Sequence, residues 1–514
     1  MALLARKIDP TRIILDESGG FADGANFYLP YQNTATKFND IHNYPGWRVF
    51  ENWISAFQGV GLDDQEKKAR NLPMKGPGNN VVSGLPVFLS EIGYGSIPDF
   101  QKTNTIFKEQ GNLLTATYRD HMELENAYKK ALIESGFNKQ YKTISELATL
   151  QHNFHGRLNR RMLEGARINP LLSGYCVHAL CGGDWVLGAG LIDIWRNPKG
   201  AVYTETAKAN QERILVMRAN PRNLYSGEQI NLETFIVNEL DNFSGNLIIS
   251  LESVDGTKFW TKNENIKVNH GINISEKIDI PSEELMGKYF IKGLLKDNKG
   301  KIIYESTIPV NIYDSSSIYV KKNLYVLESN NRLANYLNNK GISFDNYSNQ
   351  TGGRGLIIVG QLNNKSDNFI SKLEKVKEFV RSGGNALYLD YKGKFIIDRK
   401  SRKLPEKQLS DKFPIGMAII NTNGLWQSTI HMLKDHPLFE GITNNDHMDE
   451  VFEKVGPTKS FFTPEGKIIA GVISTDRYPN QDNMQRHFIG VGDVWYASDL
   501  SEIKFGDGLL VPTT

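Results

Sequence analysis

A single carboxylate follows an apolar run in residues 86–93, whose sequence is PVFLSEIG. The apolar Val-Phe-Leu stretch predicts a buried strand, and the polar pair Ser90-Glu91 comes directly after it. Glycines at 93 and 95 and a proline at 98 end the strand. In parallel α/β barrels, side chains at the carboxyl ends of strands face the active site, where a carboxylate can act as nucleophile. A glutamate that only caps or salt-bridges the strand end would give the same local sequence.

A second polar cluster, NDIHNYPGW at residues 39–47, stands at another predicted strand end. It holds His42, Asn43, Tyr44 and Trp47, which supply imidazole, amide, phenol and indole groups. Planar polar groups bind sugar hydroxyls and aromatic faces stack on sugar C–H groups, so this composition favours a carbohydrate site. Polar turn residues over an aromatic core patch remain an alternative.

A tryptophan follows a third predicted strand, the apolar run 175–180. Trp185 closes the sequence GGDW and is a candidate sugar platform. An isolated tryptophan is also common in a hydrophobic core, and the local sequence does not separate these interpretations.

The histidines and cysteines predict no metal or cofactor. His152 and His155 are three residues apart on a predicted helix, but no further ligands stand at compatible spacing. Cys176 and Cys181 match no common zinc or redox motif, and we expect both to be buried as small apolar side chains. No phosphate-binding, dinucleotide-binding or hydrolase-elbow motif occurs.

Composition is that of an ordinary globular protein. The 514 residues carry a net charge of +2, with 40% hydrophobic and 23% charged residues. About three domains are expected at this length. The near-neutral charge gives no reason to expect nucleic acid or a membrane as partner. No export signal or spanning segment is evident, so the location stays open, and a periplasmic or extracellular site is compatible with a longer protein.

Three parts differ in pattern. Residues 1–212 alternate apolar runs (12–15, 86–89, 175–180) with helical periodicity (118–135, 144–163), as expected for parallel strands with helical crossovers. Residues 213–316 contain short alternating strands separated by turn signals, which predicts an immunoglobulin-like β-sandwich. Residues 317–514 return to strand–helix alternation, and a flavodoxin-like open sheet is predicted.

In order along the chain, these features resemble glycoside hydrolase family 2, the group of β-galactosidases, β-glucuronidases and β-mannosidases. ARKIDPTRIILDESGG resembles the entry to the fifth strand of a (β/α)8 TIM barrel, and NDIHNYPGW the end of the sixth. PVFLSEIGYGS resembles the seventh strand end, and GGDWVLGAGLIDIW the eighth. Ile92 departs from the aromatic residue that usually follows the nucleophile.

The resemblance implies a retaining, β-galactosidase-like hydrolase of terminal β-glycosidic bonds, without cofactor. Glu91 would be the nucleophile, Tyr44 its neighbour and Trp185 the sugar platform. Residues 1–212 would form the C-terminal half of the catalytic barrel. Residues 317–514 resemble a class I glutamine-amidotransferase-like module, expected to be incomplete. Because no cysteine lies beyond residue 181, we expect no amidase activity there and a role in packing or oligomerisation.

The acid/base partner that such an enzyme needs is not identified in this sequence. The family places it in an Asn-Glu pair at the fourth strand end, before Met1. The only such pairs here, Asn238-Glu239 and Asn263-Glu264, fall in the predicted sandwich. We therefore expect a fragment with little activity alone, partnered by a missing N-terminal half or by further copies.

Two other functions stay open. The chain could be a non-catalytic carbohydrate-binding or scaffold protein derived from such an enzyme. An amidotransferase-like enzyme centred on residues 317–514 is disfavoured by the lack of cysteine there. The sequence does not identify the sugar.

Overall fold

The structure is a computed structural model. It describes residues 2–15, 37–43, 51–72, 74, 81–181, 188–317, 323–347, 354–363, 369–389, 394–395, 418–421, 430–442, 446–462, 467–474 and 494–513. Two compact units emerge. Of the described residues, those up to 112 and those from 145 to 313 form the first unit, and those from 113 to 144 and from 314 onward form the second.

The helices of the described ranges are short, apart from two long ones between the second and third strands. In chain order they are α1 Ala2–Ile8, α2 Glu51–Gln58, α3 Asp64–Ala69, α4 Phe100–Glu109, α5 Ala116–Ser135, α6 Ile144–Arg167, α7 Ala201–Ala209, α8 Arg332–Asn339 and α9 Phe369–Arg381. Single 3₁₀ turns occur at Phe137–Lys139, Ser315–Ser317, Pro437–Phe439 and Glu450–Phe452.

The strands fall into a parallel group, an antiparallel group and a mixed group. The first are β1 Asn39–Asn43, β2 Val87–Ile92 and β3 Leu172–Val177. The second are β4 Arg213–Asn220, β5 Asn223–Tyr225, β6 Ile230–Asn238, β7 Phe243–Ser253, β8 Lys258–Val268, β9 Gly271–Ile274, β10 Ile278–Ile280, β11 Gly287–Asp297 and β12 Ile302–Tyr313. The third are β13 Leu324–Leu327, β14 Asp345–Asn346, β15 Leu356–Val359, β16 Asn385–Tyr388, β17 Lys394–Phe395, β18 Ala418–Asn421, β19 Met432–Leu433, β20 Lys459–Phe461, β21 Lys467–Ser474, β22 Trp495–Phe505 and β23 Gly508–Pro512.

Local sequence sets the ends of the long helix α5. The hydroxyl of Thr115 accepts the backbone N–H of Tyr118 at 3.2 Å, which satisfies one of the free donors of the first turn. Gly136 ends the helix with a φ of 76°, a conformation that glycine adopts at little cost. The helix predicted at 118–135 is therefore confirmed within two residues at its start.

In the first unit, β1, β2 and β3 form a parallel sheet with β2 in the middle. The long connection from β2 to β3 carries α4, α5 and α6, as the predicted insertion requires. Val87 and Leu89 of β2 are 0% exposed, so the middle strand is anchored by its apolar side chains.

Strands β4 to β12 of the first unit form a β-sandwich. One sheet has the order β10-β6-β4 with β9 also on β6, and the other has the order β5-β12-β11-β7-β8. One cluster of buried hydrophobic side chains contains residues of both sheets. Leu215 and Phe235 come from the first sheet, and Leu251 and Ile291 come from the second. Ile54 of α2 belongs to the same cluster, so this core also includes a helix that precedes β2.

The second unit has one mixed sheet. Strands β14, β13, β15, β16 and β23 run parallel, and β22 pairs with β23 in the antiparallel sense. Helix α9 buries Leu373, Val376 and Phe379 in a cluster with Ile357 and Val359 of β15. The terminal apolar run at 509–511, predicted to be strand-like, is part of β23 and has a neighbour on each side.

Helix α5 belongs to this second unit, although residues 113–144 lie between β2 and β3 in the sequence. The amine of Lys434 donates to the carbonyl of Ser135 at 2.7 Å, at the end of the helix where carbonyls lack partners. The side-chain amide of Gln140 donates to the carbonyl of Leu433 at 3.0 Å. Two contacts from the β18–β21 region thus hold the C-terminal end of this segment.

A mixed α/β architecture is confirmed. The TIM barrel, the immunoglobulin-like type of the sandwich, the flavodoxin-like type of the last sheet and the boundaries 1–212, 213–316 and 317–514 stay predictions. The strand expected at 12–15 is wrong: these residues have no regular structure, and Ile13 is 83% exposed. Among the described residues, no strand pairs with residues 12–15.

The expectation of two buried cysteines is also wrong. Cys176 is exposed and Cys181 is partly exposed. Cys176 lies on β3, which borders only β2 in the described sheet, and it is exposed among the described residues.

Candidate functional site

Glu91 lies at the carboxyl end of the middle strand of the parallel sheet. Leu89 pairs with Ile41 of β1 on one side and with Tyr175 of β3 on the other. Because parallel strands end at the same edge of a sheet, the last residues of β1, β2 and β3 meet there. The fold therefore brings the NDIHN and SEI stretches together, as expected from the sequence.

A register shift aims Glu91 at His42. Ile41 pairs with Leu89, but the next residue of β1, His42, pairs with Glu91, so Ser90 is an extra residue on β2. Bulges of this kind redirect side chains at strand ends. His42 Nδ1 lies 3.3 Å from Glu91 Oε2, and the two side chains are 15% and 31% exposed. The carboxylate is thus oriented by an imidazole and remains accessible to a ligand.

The start of β2 is fixed to β1 by one amide side chain. Asn39 is 0% exposed; its Nδ2 donates to the carbonyl of Val82, and its Oδ1 accepts the N–H of Val82, both at 2.9 Å. A buried amide that satisfies a loop residue in both directions holds the loop in one conformation. Asn39 therefore fixes the loop that leads into β2 against the start of β1.

Directly after Glu91 the chain turns into the interior. Residues 92–97 are all buried. A methyl group at Gly93 would lie 2.5 Å from the carbonyl oxygen of His178, so only glycine permits this approach. The N–H of His178 donates to the carbonyl of Ile92 at 2.8 Å. The end of β2 is thereby joined to the residues that follow β3.

Helix α6 holds this segment through three polar side chains. The N–H of Ile97 donates to Gln151 Oε1 at 2.9 Å, and the carbonyl of Ile97 accepts His152 Nε2 at 2.8 Å. The hydroxyl of Ser96 lies 2.9 Å from His155 Nδ1. His152 and His155 share a helical face, as predicted, and that face binds the chain that follows Glu91.

The segment 188–199 holds the other side. The N–H of Ser96 donates to the carbonyl of Gly188 at 3.3 Å. Lys199 Nζ donates to the same carbonyl at 2.7 Å and to Ser96 Oγ at 3.2 Å. Ser96, His155 and Lys199 therefore form one buried polar cluster, named here the 96–155–199 cluster.

Burial shifts the pKa values of this region strongly. It lowers the pKa of His152 to about 3, with nearby Lys199 as a second cause. It lowers the pKa of His155 well below the ordinary value for histidine, again with Lys199 and also His152 contributing. It lowers the pKa of Lys199 to about 7, against an opposing effect of Asp193. Both histidines are neutral in the folded protein at neutral pH.

These shifts predict acid sensitivity of the first unit. The unfolded chain takes up a proton at His152 below about pH 6.5, whereas the folded protein does so only near pH 3. Neutral His152 therefore contributes fully to the free energy of unfolding above about pH 6.5. This contribution falls as the pH is lowered, by at most about 1.4 kcal/mol per pH unit. His152→Gln keeps a donor for Ile97, so its urea midpoint should depend less steeply on pH between about 6.5 and 4.5.

The matched control is His270→Gln, at an exposed histidine of the same unit. Its unfolding curve should keep the pH dependence of the unchanged protein. Parallel curves for His152→Gln and the unchanged protein would contradict the prediction.

The structure brings only part of the predicted site together. His42 and Glu91 are in contact, and Asn43 is half-buried at the end of β1, opposite Ile92. Tyr44, Trp47 and Trp185 lie outside the described residues. Ser96 and Lys199 were not predicted as site residues, because a serine in a Gly-rich turn and a lysine after a proline carry no spacing signal.

The described residues contain neither a candidate metal centre nor a candidate membrane span. No group of three or more His, Cys, Asp or Glu side chains could hold a metal ion within the described ranges. No helix in that part of the chain is long and apolar enough to cross a membrane.

No protein-family model and no curated protein matches the sequence. Matching solved structures include a β-D-mannosidase from Dictyoglomus thermophilum, with 16% identity and a TM-score of 0.36 over 55% of this chain and 32% of the mannosidase. An exo-chitosanase from Amycolatopsis orientalis matches at 19% identity and a TM-score of 0.26 over 36% of this chain and 21% of its own.

A β-glucuronidase from Bacteroides uniformis matches at 15% identity and a TM-score of 0.17, over 34% of this chain and 22% of its own. All three matched proteins are named as glycoside-cleaving enzymes. The shared region covers less than a third of each, so these enzymes are much longer than the part they have in common with this chain.

Proposed function

We propose that this chain carries the nucleophile of a retaining β-glycosidase and that Glu91 is that nucleophile. The observation that carries the proposal is the contact between His42 and Glu91 at the carboxyl ends of two parallel strands. Strand ends of this kind are where α/β barrels place catalytic carboxylates. The NDIHNYPGW and PVFLSEIGYGS stretches that resemble family 2 glycosidases supply both residues of the contact.

In the proposed reaction, Glu91 attacks the anomeric carbon while the bond to the leaving oxygen breaks, which gives a glycosyl–enzyme ester. His42 Nδ1 lies 3.3 Å from Oε2 and would orient the carboxylate for this attack. Water then cleaves the ester and releases the sugar with its original configuration. The second carboxylate, which protonates the leaving group and later activates water, is not assigned to a residue of this chain.

The proposed substrate is a terminal β-linked sugar of an oligo- or polysaccharide, in a β-galactosidase-like reaction. Asn43 stands beside His42 and can hydrogen-bond a sugar hydroxyl, since its side chain is only half-buried. Tyr44, Trp47 and Trp185 remain proposed sugar contacts.

A trapping experiment tests the nucleophile without requiring the acid/base residue. A 2-deoxy-2-fluoro-β-glycosyl fluoride loses fluoride without protonation, and its fluorine slows hydrolysis of the ester. Galactose, glucose, glucuronic acid and mannose forms would be incubated with the chain. We expect one sugar to add a single glycosyl mass, mapped to Glu91 by peptide mass spectrometry, and no addition to Glu91→Gln.

The control is Glu264→Gln, which removes an exposed carboxylate of the sandwich and should label normally. Failure of every sugar to label the chain, or a label that persists in Glu91→Gln, would overturn the proposal. If calorimetry then detected sugar binding without any label, the carbohydrate-binding alternative would be favoured.

A further inference from the structure

A lysine side chain is buried beside the segment that follows Glu91. Lys199 is 5% exposed and stands just before α7. Lysine is rarely buried to this degree unless its amine is fully hydrogen-bonded, because removing an ammonium from water is costly. The contacts of this amine therefore indicate what it does for the fold.

The acceptors around Lys199 match a neutral amine. Nζ donates to the carbonyl of Gly188 and to Ser96 Oγ, at 2.7 and 3.2 Å. A neutral amine has two N–H groups, and these two acceptors satisfy both. An ammonium would carry a third donor, for which the described residues supply no further acceptor.

In the 96–155–199 cluster, Ser96 lies between Lys199 and His155 and contacts both. Ser96 Oγ accepts from Lys199 and also lies 2.9 Å from His155 Nδ1. His155 is 0% exposed, and its imidazole is neutral at neutral pH because burial lowers its pKa. Hydrogen bonds through Ser96 thus connect the segment 188–199 to helix α6.

Several titratable groups act on this cluster. Asp193 and the Cys181 sulfur favour protonation of Lys199. His155 and His152 on α6 are the neighbouring imidazoles, and Lys102 of α4 acts on His152. Burial outweighs the two favourable groups at Lys199, so its pKa falls to about 7.

We propose that Lys199 is a positioning residue for Glu91: its amine fastens the buried segment 92–97 to Gly188 through Ser96 and so fixes the strand end that carries the carboxylate. This inference rests on the proposed function, since it concerns the same site. Glu91 and Ser96 are joined by a short buried segment. Any opening that hydrates Lys199 must release Ser96, and the end of β2 then loses an attachment.

A pH dependence follows, with a defined sign. An exposed lysine binds a proton below about pH 10.4, whereas Lys199 in the closed segment does so only below about pH 7. Between these values opening takes up a proton. Opening therefore becomes easier as pH falls from about 10 to 7, by at most about tenfold per pH unit, and levels off below pH 7.

Amide hydrogen exchange tests the inference without any catalytic step. The N–H groups of Ser96 and Ile97 are bonded to Gly188 and Gln151, so their protection reports opening of the segment. In the unchanged chain, protection corrected for intrinsic exchange should fall as pH is lowered from about 9.5 to 7. In Lys199→Met this pH dependence should disappear.

Lys208→Met is the matched control, because Lys208 is 50% exposed and lies on α7 a short distance along the chain. It should retain the pH dependence of the unchanged chain. A slope that persists in Lys199→Met, or is missing from the unchanged chain, would overturn the inference. If Lys199→Met does not fold, Ser96→Ala is the second variant, because it keeps the amine and removes the hydroxyl that accepts from it. We expect lower protection of the Ile97 N–H in Ser96→Ala. Protection equal to that of the unchanged chain would also overturn the inference.

The trapping rate links the segment to Glu91. For the sugar that labels the chain, labelling of Lys199→Met should be slower and should lose the part of its pH dependence that lies between about pH 7 and 9.5. If the unchanged chain is never labelled, the proposed function is wrong. Amide exchange then still tests whether Lys199 holds the segment 92–97 in place. If labelling is normal in Lys199→Met, the positioning role is wrong even though Glu91 is the nucleophile.

Discussion

Replacement of Glu91 by glycine is expected to lower the rate of cleavage of a 2,4-dinitrophenyl β-glycoside on the order of 10⁴-fold or more. Dinitrophenolate leaves without protonation, so the rate of its first release depends on the nucleophile and not on an acid that protonates the leaving group. The space vacated by the carboxylate lies beside His42, whose Nδ1 is 3.3 Å from Glu91 Oε2. A small anion entering there attacks the sugar from the face that Glu91 uses.

Azide supplies the decisive readout for this variant. A bond forms between azide nitrogen and the anomeric carbon, the bond to dinitrophenolate breaks, and the product is the α-glycosyl azide. We expect azide to raise the Glu91→Gly rate at least about tenfold. Glu91→Gln fills the space and should not be rescued. A β-configured azide, or equal rescue of both variants, would contradict the assignment.

Replacement of Glu164 by glutamine is expected to lower the free energy of unfolding by about 3–5 kcal/mol. Glu164 is 1% exposed and accepts Arg160 Nε at 2.8 Å and an N–H of Arg161 at 2.5 Å. Arg160 also pairs with Glu205 of α7, and Arg161 donates to the carbonyl of Met217 in β4. Loss of the carboxylate charge leaves two largely buried guanidinium groups with too little negative charge.

The control for this prediction is Glu264→Gln. Glu264 pairs with Lys262 at 3.6 Å, and both side chains are more than a third exposed. Exposed pairs contribute little, so we expect a loss below about 0.5 kcal/mol. Urea unfolding followed by circular dichroism gives both values. A loss for Glu164→Gln close to that of the control would show that the buried network is not needed for stability.

Elements set by local sequence were predicted well. Periodicity predicted residues 118–135 of the helix Ala116–Ser135, whose ends are set by Thr115 and Gly136. The strand Val87–Ile92 begins with the predicted apolar run and has turn residues after it. Each of these signals lies within a few residues of the element that it determines.

Features that depend on distant residues were not predicted. The contact between His42 and Glu91 requires the extra residue Ser90 on β2, and a strand pattern does not show where a ladder shifts register. Lys199 meets Ser96 across 103 residues of sequence. The apolar run at 12–15 has the composition of a strand but no neighbouring strand in the described residues, so composition alone misled.

The placement of α5 has a consequence for biosynthesis. Ser135 and Lys434, which are hydrogen-bonded at the end of that helix, are 299 residues apart in the chain. At synthesis rates of about 5–20 residues per second, the helix leaves the ribosome roughly 15–60 s before its partner. Its buried face, which includes Leu124, Tyr128 and Leu132, must be shielded during that interval. The second unit can therefore be completed only after the residues from 314 onward have been synthesised.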